Sequence, residues 1–463
     1  MYAATPTKQA EARRKVFSVI PPERRQEAAI RAAGGGAGSF TDFVSRVNPR
    51  YQWYPHVKQL ADVLQRVADG EIDRLMVFMP PRHGKALEVN TPIPTPCGYK
   101  RIVDLVPGDT VFDDLGKPCS VVAKSPVWKD RELFKVTTDD GDYVLADGDH
   151  DWVVRLCRKR NNFKVYTTRD LYGRCLKMKD YRKPMVKRQR WLELPHKDLL
   201  IPPYLLGIWL GDGKNDSGFV TAGVESDREF IRQEVEKHGY KTRSHADIKN
   251  FGVLGLQVQL RRLGVLGNKH IPVVYLRASA AQRLSLLQGL IDSDGYVAPD
   301  GQVEFCSIDL GLAEGVRELV NSLGYKASLI EGDATLDGRF ISKKYRVLFY
   351  MPSAARLPRK ANCCIVPQRQ DRYIDFEPAG TGDTVCIQVD SPSHMFLCGR
   401  TMLPTHNSEL VSRLFSAYYL LKHPGRWVGI NSYAAELAYT FSRHARDNYT
   451  RAGGQIKHDA GAV

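Results

Sequence analysis

The sequence contains no apolar run of about 18 residues, the length that a membrane-spanning helix needs. Its N-terminus has no apolar signal core, so we expect that the protein is not secreted. No cysteine precedes Cys97 or follows Cys398, and the nine cysteines of the chain form no two C-x-x-C units. The cysteine spacing argues against a zinc ribbon, and nothing in it suggests an oxidising compartment, so we expect a cytoplasmic setting. The absence of cysteine from both ends also sets them apart from the middle of the chain.

Length and charge narrow the remaining possibilities. A chain of 463 residues is long enough for about three domains. Its net charge of +15 at pH 7 favours a polyanionic partner, since a basic surface attracts nucleic acid.

A phosphate-binding loop begins in the first part of the chain and stops short. Residues 75–79 (LMVFM) are a continuous apolar run typical of a buried parallel strand. They lead into residues 80–85 (PPRHGK), after which a Ser or Thr and a helix are expected. Ala86 follows instead. An upstream helix is predicted from apolar residues at helical spacing that end near Gly70, namely Val57, Leu60, Ala61, Leu64, Val67 and Ala68.

The missing continuation lies far downstream. Ser408 opens a stretch with apolar residues at helical spacing, and residues 427–430 predict another short strand. Joining Lys85 to Ser408 restores a strand, a phosphate loop and a helix. In that unit the loop with Arg82 and Gly84 would hold the phosphates of ATP, Lys85 would reach the β- and γ-phosphates, and the Ser408 hydroxyl would bind Mg²⁺.

The joined sequence PPRHGKS resembles the variant Walker A motif of phage terminase large subunits, the ATPases that package genome DNA. Pro80 departs from the usual first glycine of that motif. The resemblance implies ATP and Mg²⁺ as ligands after joining, DNA as substrate, an oligomer on a portal, and a phage or prophage gene in a bacterial host. No strand ending in Asp-Glu and no nuclease carboxylate cluster follows Ser408, so residues 1–85 and 408–463 are expected to be part of that motor.

The end of the insert carries the chemistry of chain cleavage. The side-chain amide of Asn407 can attack its own backbone carbonyl, and His406 can donate a proton to the departing amine. The Ser408 hydroxyl can hold the upstream chain as an ester before the final amide forms. A His-Asn-Ser tripeptide is common by chance, but here it falls where the broken loop is restored.

Residues 86–407 resemble inteins along their length. Residues 141–150 (GDYVLADGDH) are similar to the second splicing block, in which His150 would polarise the upstream scissile amide. Residues 383–389 (DTVCIQV), followed by His394, are similar to the penultimate block, and residues 403–408 to the last. The resemblance implies an all-β splicing domain of the Hint type that needs no cofactor, with His394 and His406 managing protons.

The first residue of the insert departs from most inteins, because Ala86 has no nucleophile. Cys386 stands where a subgroup without the first nucleophile, class three, places its attacking cysteine. Trp152 and Thr405 match the two other markers of that subgroup, and Asp147 replaces the Thr of ordinary inteins. Taken singly, Trp152 is on base rates a core residue and Cys386 an inert buried thiol, and it is their joint occurrence at these spacings that favours the splicing roles. An engineered Cys-to-Ala change in an ordinary intein is the competing explanation, but it predicts a Thr at position 147.

Two further segments resemble the LAGLIDADG motifs of homing endonucleases. They are residues 205–213 (LLGIWLGDG) and residues 286–295 (LLQGLIDSDG). Aligning Gly207 with Gly289 places Asp212 opposite Asp294, and small residues at helical spacing let two helices pack closely. The two carboxylates would then meet and hold Mg²⁺ against a phosphodiester. Two copies imply a pseudo-symmetric monomer that cuts both strands of DNA.

The basic residues that serve this nuclease are less specific in the sequence. Lys269, in KHIP, is similar to the lysine-bearing segment between the motifs and is a candidate to assist cleavage. Lys343 and Lys344 are alternatives, and for any one of the three a surface lysine without a catalytic role is the more frequent case. Residues 155–190 are rich in Lys and Arg with interleaved Tyr and Phe, which fits either contact with the DNA backbone or a solvated linker.

The predicted architecture is therefore multidomain. Residues 86–200 and 366–407 should form the all-β splicing domain, and residues 201–365 an α/β endonuclease with curved sheets. Residues 1–85 and 408–463 should be the halves of a split α/β P-loop ATPase. The predicted function is self-splicing together with site-specific DNA cleavage. The alternatives are a splicer with a decayed nuclease, a splicing-inactive precursor that acts only as an endonuclease, and an inert insertion.

Overall fold

The computed structural model describes residues 38–47, 55–72, 86–156, 163–176, 183–244, 249–336, 339–366, 371–393, 395–406 and 415–423, with six residues between 445 and 453. The chain divides into two compact units, Met1–Met79 with Ser408–Val463, and Pro80–Asn407. Within the described ranges, no helix is both long and apolar enough to cross a membrane.

The first unit packs three helices from the two ends of the chain. They are α1 (Phe40–Val47), α2 (Pro55–Ala68) and a last helix over Ser416–Lys422. Helix α2 confirms the helix predicted up to Gly70, which has a φ of +80°. The side-chain oxygen of Gln65 on α2 accepts hydrogen bonds from the Phe40 amide and the Tyr418 hydroxyl, at 2.6 and 2.9 Å. The predicted strands at residues 75–79 and 427–430 lie outside the described residues.

The second unit begins and ends in β-structure. Its first strands are β1 (Leu87–Glu88), β2 (Pro92–Thr95), β3 (Gly98–Arg101), β4 (Thr110–Phe112), β5 (Pro118–Lys124), β6 (Trp128–Thr138), β7 (Tyr143–Asp147), β8 (Asp151–Arg155), β9 (Lys164–Thr167) and β10 (Met185–Val186), with helix α3 (Thr168–Cys175) between the last two.

Between these strands and the last ones lies an α/β region. Its helices are α4 (Pro203–Asp212), α5 (Glu225–Lys237), α6 (Leu256–Leu263), α7 (Val273–Leu276), α8 (Ala280–Asp294), α9 (Leu310–Ser322) and α10 (Pro358–Ala361). Its strands are β11 (Phe219–Thr221), β12 (Thr242–Ser244), β13 (Asn250–Val253), β14 (Gly295–Val297), β15 (Val303–Ser307), β16 (Ala327–Leu336) and β17 (Arg339–Phe349). They form a three-stranded sheet, β11-β13-β12, and a four-stranded sheet, β14-β15-β17-β16.

The chain then returns to the first region with β18 (Arg372–Val385), β19 (Ile387–Val389), β20 (Met395–Cys398) and β21 (Leu403–His406). The largest sheet has the order β1-β7-β6-β18-β10-β8-β9, and β1 also pairs with β18. The strands from both ends of the insert are therefore interleaved in one sheet. Smaller sheets are β19-β5-β4, β2-β3 and β20-β21.

The two largest hydrophobic cores among the described residues of this unit are separate. One joins β-strands from both ends of the insert and includes Trp152, and the other fills the α/β region from Ile201 to Ala355. A buried polar cluster connects the two regions. Arg372 at the start of β18 donates to Asp140, to the side chain of Gln189, and to Asn321 of α9, at 2.7, 2.7 and 2.9 Å. Since the guanidinium is both paired and hydrogen-bonded, its burial is tolerated.

Two features differ from the sequence-based expectations. The β-region is not all-β, because helix α3 packs against it through Leu171. The basic segment 155–190 is not a solvated linker where it is described, since it contains β9, α3 and β10 of the main sheet region. Arg155 forms an ion pair with Asp371, so part of the positive charge of segment 155–190 is neutralised within the fold.

Candidate functional site

The start of the insert lies between two strands that come from different splicing blocks. Leu87 of β1 pairs with Ala146 of β7 on one side and with Val385 of β18 on the other. The backbone oxygen of Ala86 accepts the Asp147 amide at 3.0 Å. The ladder between β1 and β18 ends at the pair Leu87 and Val385, the direct chain neighbours of Ala86 and Cys386, so these two residues lie at the same end of the strand pair.

Cys386 is buried, with 4% of its surface exposed. Its backbone is fixed by Ser125, whose hydroxyl accepts the Cys386 amide at 3.0 Å and whose own amide donates to the Cys386 carbonyl at 2.9 Å. The residue thus lies between β18 and β19 at a defined position. A buried thiol in such a place is protected from solvent oxidants.

His150 and Thr405 meet in the interior, although they come from the second and the last splicing block. Both are fully buried, and Nε2 of His150 is hydrogen-bonded to the Thr405 hydroxyl. Thr405 is in β21, where it pairs with Phe396 of β20. The contact brings together two of the residues that the sequence singled out for splicing.

Trp152 packs beside the same imidazole. Its ring lies edge-on to that of His150, with centroids 4.9 Å apart and an angle of 62°. The indole Nε1 donates to the Thr168 hydroxyl at 3.0 Å. Trp152 is therefore a core residue and at the same time a neighbour of His150, so the two interpretations from the sequence are compatible.

Asp147 is anchored by charge. Its carboxylate accepts Nε of Arg131 at 2.6 Å and the Asp149 amide at 2.9 Å, and its carbonyl accepts the amide of His150 at 2.9 Å. The hydrogen bond to this carboxylate raises the pKa of the Arg131 guanidinium. Asp147 thus shapes the turn that carries His150. Its carboxylate is held in place by the charge-assisted hydrogen bond from Arg131.

Several predicted site residues lie outside the described residues. These are Arg82, Gly84, Lys85, His394, Asn407 and Ser408. The backbone of His406 is described and pairs with Met395 in the β20-β21 hairpin, but the His406 side chain lies outside the described part of the structure.

In the α/β region, helices α4 and α8 cross at the two predicted glycines. A Cβ on Gly207 would lie 2.2 Å from the Leu286 oxygen, and one on Gly289 would lie 2.2 Å from the Tyr204 oxygen. One on Gly211 would lie 2.1 Å from the Ser293 hydroxyl. Only glycine fits such close backbone contacts, and the predicted alignment of Gly207 with Gly289 is confirmed.

The crossing brings Asp212 and Asp294 to the same end of the helix pair. Burial raises the pKa of both carboxyls, and the neighbouring Asp212 charge adds to the effect on Asp294, whose pKa rises to about 6. Two carboxylates that repel one another form a set of hard oxygen donors, which a divalent cation would neutralise. The chemistry of the pair therefore fits a Mg²⁺ site, although no described residues form a cluster of three or more metal-binding side chains.

Two lysines border this pair. The ammonium of Lys269 donates to the Gly211 oxygen at 3.0 Å and lies 5.2 Å from the centre of the Trp209 ring. Burial lowers the pKa of Lys269, while Asp212 and Asp294 oppose that change. Lys360 is buried and donates to carbonyls at the end of α8, those of Ile291, Asp292 and Gly295, at 2.6, 2.9 and 2.7 Å.

The sequence carries no signal for Lys360, which lies in the one-turn helix that begins at Pro358 and which contacts backbone carbonyls. The alternative Lys343 instead pairs with Asp333 and Glu331 on the neighbouring strand. Those hydrogen bonds raise the pKa of Lys343, which keeps it a surface charge.

A family model described as a LAGLIDADG-like domain matches residues 281–350, a segment that begins in α8 and ends after β17. The chain therefore contains a LAGLIDADG-like domain. The second of the two predicted motifs, with Asp294, lies in that match.

The chain is also similar to curated proteins named replicative DNA helicase DnaB. The one from Mycobacterium intracellulare is 35% identical over 363 residues, which are 73% of this chain and 61% of that protein. The one from Mycobacterium leprae (strain TN) is 32% identical over 94 residues, 20% of this chain and 15% of that protein. The chain thus spans about three fifths of the first relative's length. Because residues 86–407 are 322 of the 463 residues, most of the longer match falls within the insert.

These relatives correct the interpretation of the flanks. Both are named helicases and neither is a packaging ATPase, so the terminase, the bacteriophage source and the portal are unsupported. The motif GK followed by Ser is short enough to occur in unrelated nucleotide-binding proteins, and for that reason it did not discriminate between them.

Two of the solved structures that resemble this chain are an intein and a homing endonuclease. The MchDnaB-1 intein has 14% identity and a TM-score of 0.25, over 70% of this chain and 100% of that one. The homing endonuclease I-DmoI in complex with DNA and Mn has 15% identity and a TM-score of 0.24, over 32% of this chain and 89% of that one. At scores of this size, the function of each region depends on its residues and contacts.

Proposed function

We propose that residues 86–407 excise themselves and join Lys85 to Ser408. The observation that carries this proposal is the position of β1, which pairs with β7 from the block of His150 and with β18 from the block of Cys386. This short strand, which follows Ala86, supports the proposal because it contacts a strand of each block.

The chemistry begins at Cys386. Its sulfur attacks the carbonyl carbon of Lys85, a C–S bond forms, and the bond from Lys85 to Ala86 breaks with a proton delivered to the new amine. The Ser408 hydroxyl then takes the acyl group and returns the thiol. The side-chain nitrogen of Asn407 attacks its own carbonyl, which forms a succinimide and frees the Ser408 amine. That amine takes the acyl group from the oxygen and leaves an amide bond.

His150 handles the proton of the first step. The hydrogen bond to Thr405 orients its imidazole, and Trp152 limits the ring's rotation. A histidine is suited to this task because its ordinary pKa of about 6.5 lets it give and take a proton near neutral pH. His406 and His394 serve the later steps as proton donors.

The splicing proposal is tested by intact mass after expression in a reducing cytosol. The expected products are a joined chain of 141 residues and a free insert of 322 residues, which together account for the sequence. A precursor that remains whole would reject self-splicing by this chain.

We further propose that residues 201–365 are a site-specific DNA endonuclease that acts as a pseudo-symmetric monomer. Asp212 and Asp294 hold the divalent cation, Mg²⁺, and each helix of the crossing contributes one of them. When bound, the cation supplies positive charge that stabilises a phosphodiester under attack. Lys269 and Lys360 add positive charge at the same place, and the charges of Asp212 and Asp294 both act to raise the pKa of Lys269.

The DNA target follows from the position of the insert. A homing nuclease spares the gene that already contains it, so its target is the uninterrupted sequence that encodes PPRHGKSEL across Lys85 and Ser408. The test is cleavage of a plasmid carrying that joined sequence, beside a plasmid in which the insert interrupts it. Cleavage of only the first plasmid is expected, and cleavage of both or of neither would contradict the proposal.

For the flanks we propose a nucleotide-binding loop of the P-loop type, completed only by splicing. Lys85 and Ser408 are separated by the insert, and one bond brings them together. The names of the relatives make a replicative DNA helicase the first host to test. Retention of a fluorescent ATP analogue by the joined product, and not by a Lys85→Ala product, is the expected result. Equal retention by both would count against the loop.

A further inference from the structure

Thr168 joins the backbone of His150 to the side chain of Trp152. Its hydroxyl accepts the indole N–H of Trp152 at 3.0 Å and donates to the His150 carbonyl at 3.1 Å. The Thr168 amide donates to the same carbonyl at 2.8 Å. All three residues are fully buried, so each of these hydrogen bonds replaces contact with water that the fold has removed.

The position of Thr168 is fixed independently of these contacts. It is the first residue of α3, and the preceding Thr167 caps that helix by accepting the Asp170 amide at 3.1 Å. Strand β9 also pairs with β8, so Thr167 lies opposite Asp151 and Tyr166 opposite Trp152. The hydroxyl of Thr168 therefore reaches His150 and Trp152 from an already anchored backbone.

The hydroxyl acts on both parts of His150 that matter for its orientation. Through the carbonyl it fixes the backbone of the residue, and through Trp152 it fixes the ring that packs against the imidazole. Thr405 binds the far nitrogen of the same ring. The imidazole is thus held through its backbone by Thr168, beside its ring by Trp152 and at Nε2 by Thr405, and of these three residues the sequence had identified all but Thr168.

We propose that Thr168 is a positioning residue for the first step of splicing, in which it holds His150 toward the bond between Lys85 and Ala86. This inference rests on the proposed splicing function. The hydroxyl touches no reacting atom. Its loss leaves the Trp152 N–H buried without its partner and frees the indole to move, and the imidazole then loses its fixed neighbour.

The test measures the two cleavages separately in the full chain. Initiation is followed in an Asn407→Ala background as dithiothreitol-induced release of residues 1–85 from the thioester. Cleavage at Asn407 is followed in a Cys386→Ala background. Thr168→Val is expected to slow initiation at least about tenfold, equal to about 1.4 kcal/mol, and to leave cleavage at Asn407 within about twofold. Thr168→Ser, which keeps the hydroxyl, is expected to restore initiation.

The matched control is Thr167→Ala, which removes the helix cap without touching Trp152 or His150. If it slows initiation as much as Thr168→Val does, the effect belongs to helix α3 and the proposal is overturned. Equal loss of both cleavages in Thr168→Val, or failure of Thr168→Ser to restore initiation, overturns it as well. If the chain with native Thr168 releases no residues 1–85, the splicing function itself is rejected. If that chain cleaves and Thr168→Val cleaves equally fast, only the role of Thr168 is rejected.

Discussion

Nε2 of His150 is hydrogen-bonded to the hydroxyl of Thr405, a residue 255 positions further along the chain. Both groups are fully buried. The contact forms only when the two ends of the insert fold together, so we expect that this folding precedes activation of the upstream junction. The endonuclease region is inserted between the two ends of the insert, yet these ends remain close to one another. Strands β7 and β18, which come from either side of that region, lie in the same sheet.

The Thr405 hydroxyl is predicted to contribute to initiation. Thr405→Val removes the partner of His150 while keeping the shape of the side chain, so the release of residues 1–85 by dithiothreitol should slow by about tenfold or more. Thr405→Ser should recover most of the rate. Thr401→Val changes another buried threonine, in the turn before β21, and should leave the rate near that of the parent.

The nuclease is predicted to depend on the acidic pair without any effect on splicing. Asp212→Asn and Asp294→Asn should each lower cleavage of the joined target by at least about a hundredfold, because each removes a charge that holds the cation. Both variants should still splice at the rate of the parent, since they lie in the separate core of the α/β region. Asp198→Asn, a carboxylate outside the helix crossing, is the control for cleavage. Loss of splicing in the two variants would mean that the regions are not functionally separable.

The raised pKa of Asp294 predicts how stability depends on pH. The folded value of about 6 exceeds the ordinary value near 3.9, so the folded state holds an additional proton between these values. Its contribution to stability is present below about pH 4 and is lost as the pH rises through 6. Without metal, Asp294→Asn should therefore melt higher than the parent at pH 8 and equally at pH 4. The gain should stay under about 1 kcal/mol, because the Asp294 side chain, although partly desolvated at the helix crossing, keeps contact with solvent that screens its charge.

Added Mg²⁺ should reverse that order. It stabilises the parent at pH 8 by binding the ionised pair, and it should leave Asp294→Asn nearly unchanged. Melting curves with and without Mg²⁺ at both pH values measure this directly. A parent that melts higher than the variant at pH 8 without metal would show that the two carboxylates do not repel one another.

The helix crossing was the part of the candidate site that sequence predicted best. Gly207 and Gly289 were paired by alignment of two similar segments, and small residues at helical spacing have a direct physical meaning. Local spacing also predicted helix α2. Such features depend on residues that are near one another in the chain or that repeat.

Thr168 and Lys360 could not be found in this way. Each acts through backbone carbonyls, those of His150 and of the end of α8, and a carbonyl carries no signature in the sequence. The path of β1 between β7 and β18 was equally hidden, since strand pairing over about three hundred residues depends on the complete fold. At the flanks the sequence was instead overinterpreted. The motif PPRHGKS is too short to specify which protein the insert interrupts, yet a terminase was predicted from it.

Close backbone contact at the crossing predicts a large cost for a single methyl group. Gly289→Ala places a Cβ about 2.2 Å from the Tyr204 oxygen and must push the helices apart. Stability of the α/β region should fall by about 1–3 kcal/mol, measured as a lower midpoint in urea unfolding. Gly173→Ala is the matched control, because that helical glycine has open space around it, and it should leave stability unchanged or raise it slightly. Equal effects of the two changes would contradict the packing described for α4 and α8.

The most direct measurement of the central claim is intact mass of this chain and of Cys386→Ala after expression in a reducing cytosol. Cys398→Ala, which removes another buried thiol, on β20, is made in parallel. The parent and Cys398→Ala are expected to yield the joined 141-residue chain and the free 322-residue insert, while Cys386→Ala remains a single chain of 463 residues. Splicing by Cys386→Ala, or a parent that stays whole, would contradict initiation by Cys386.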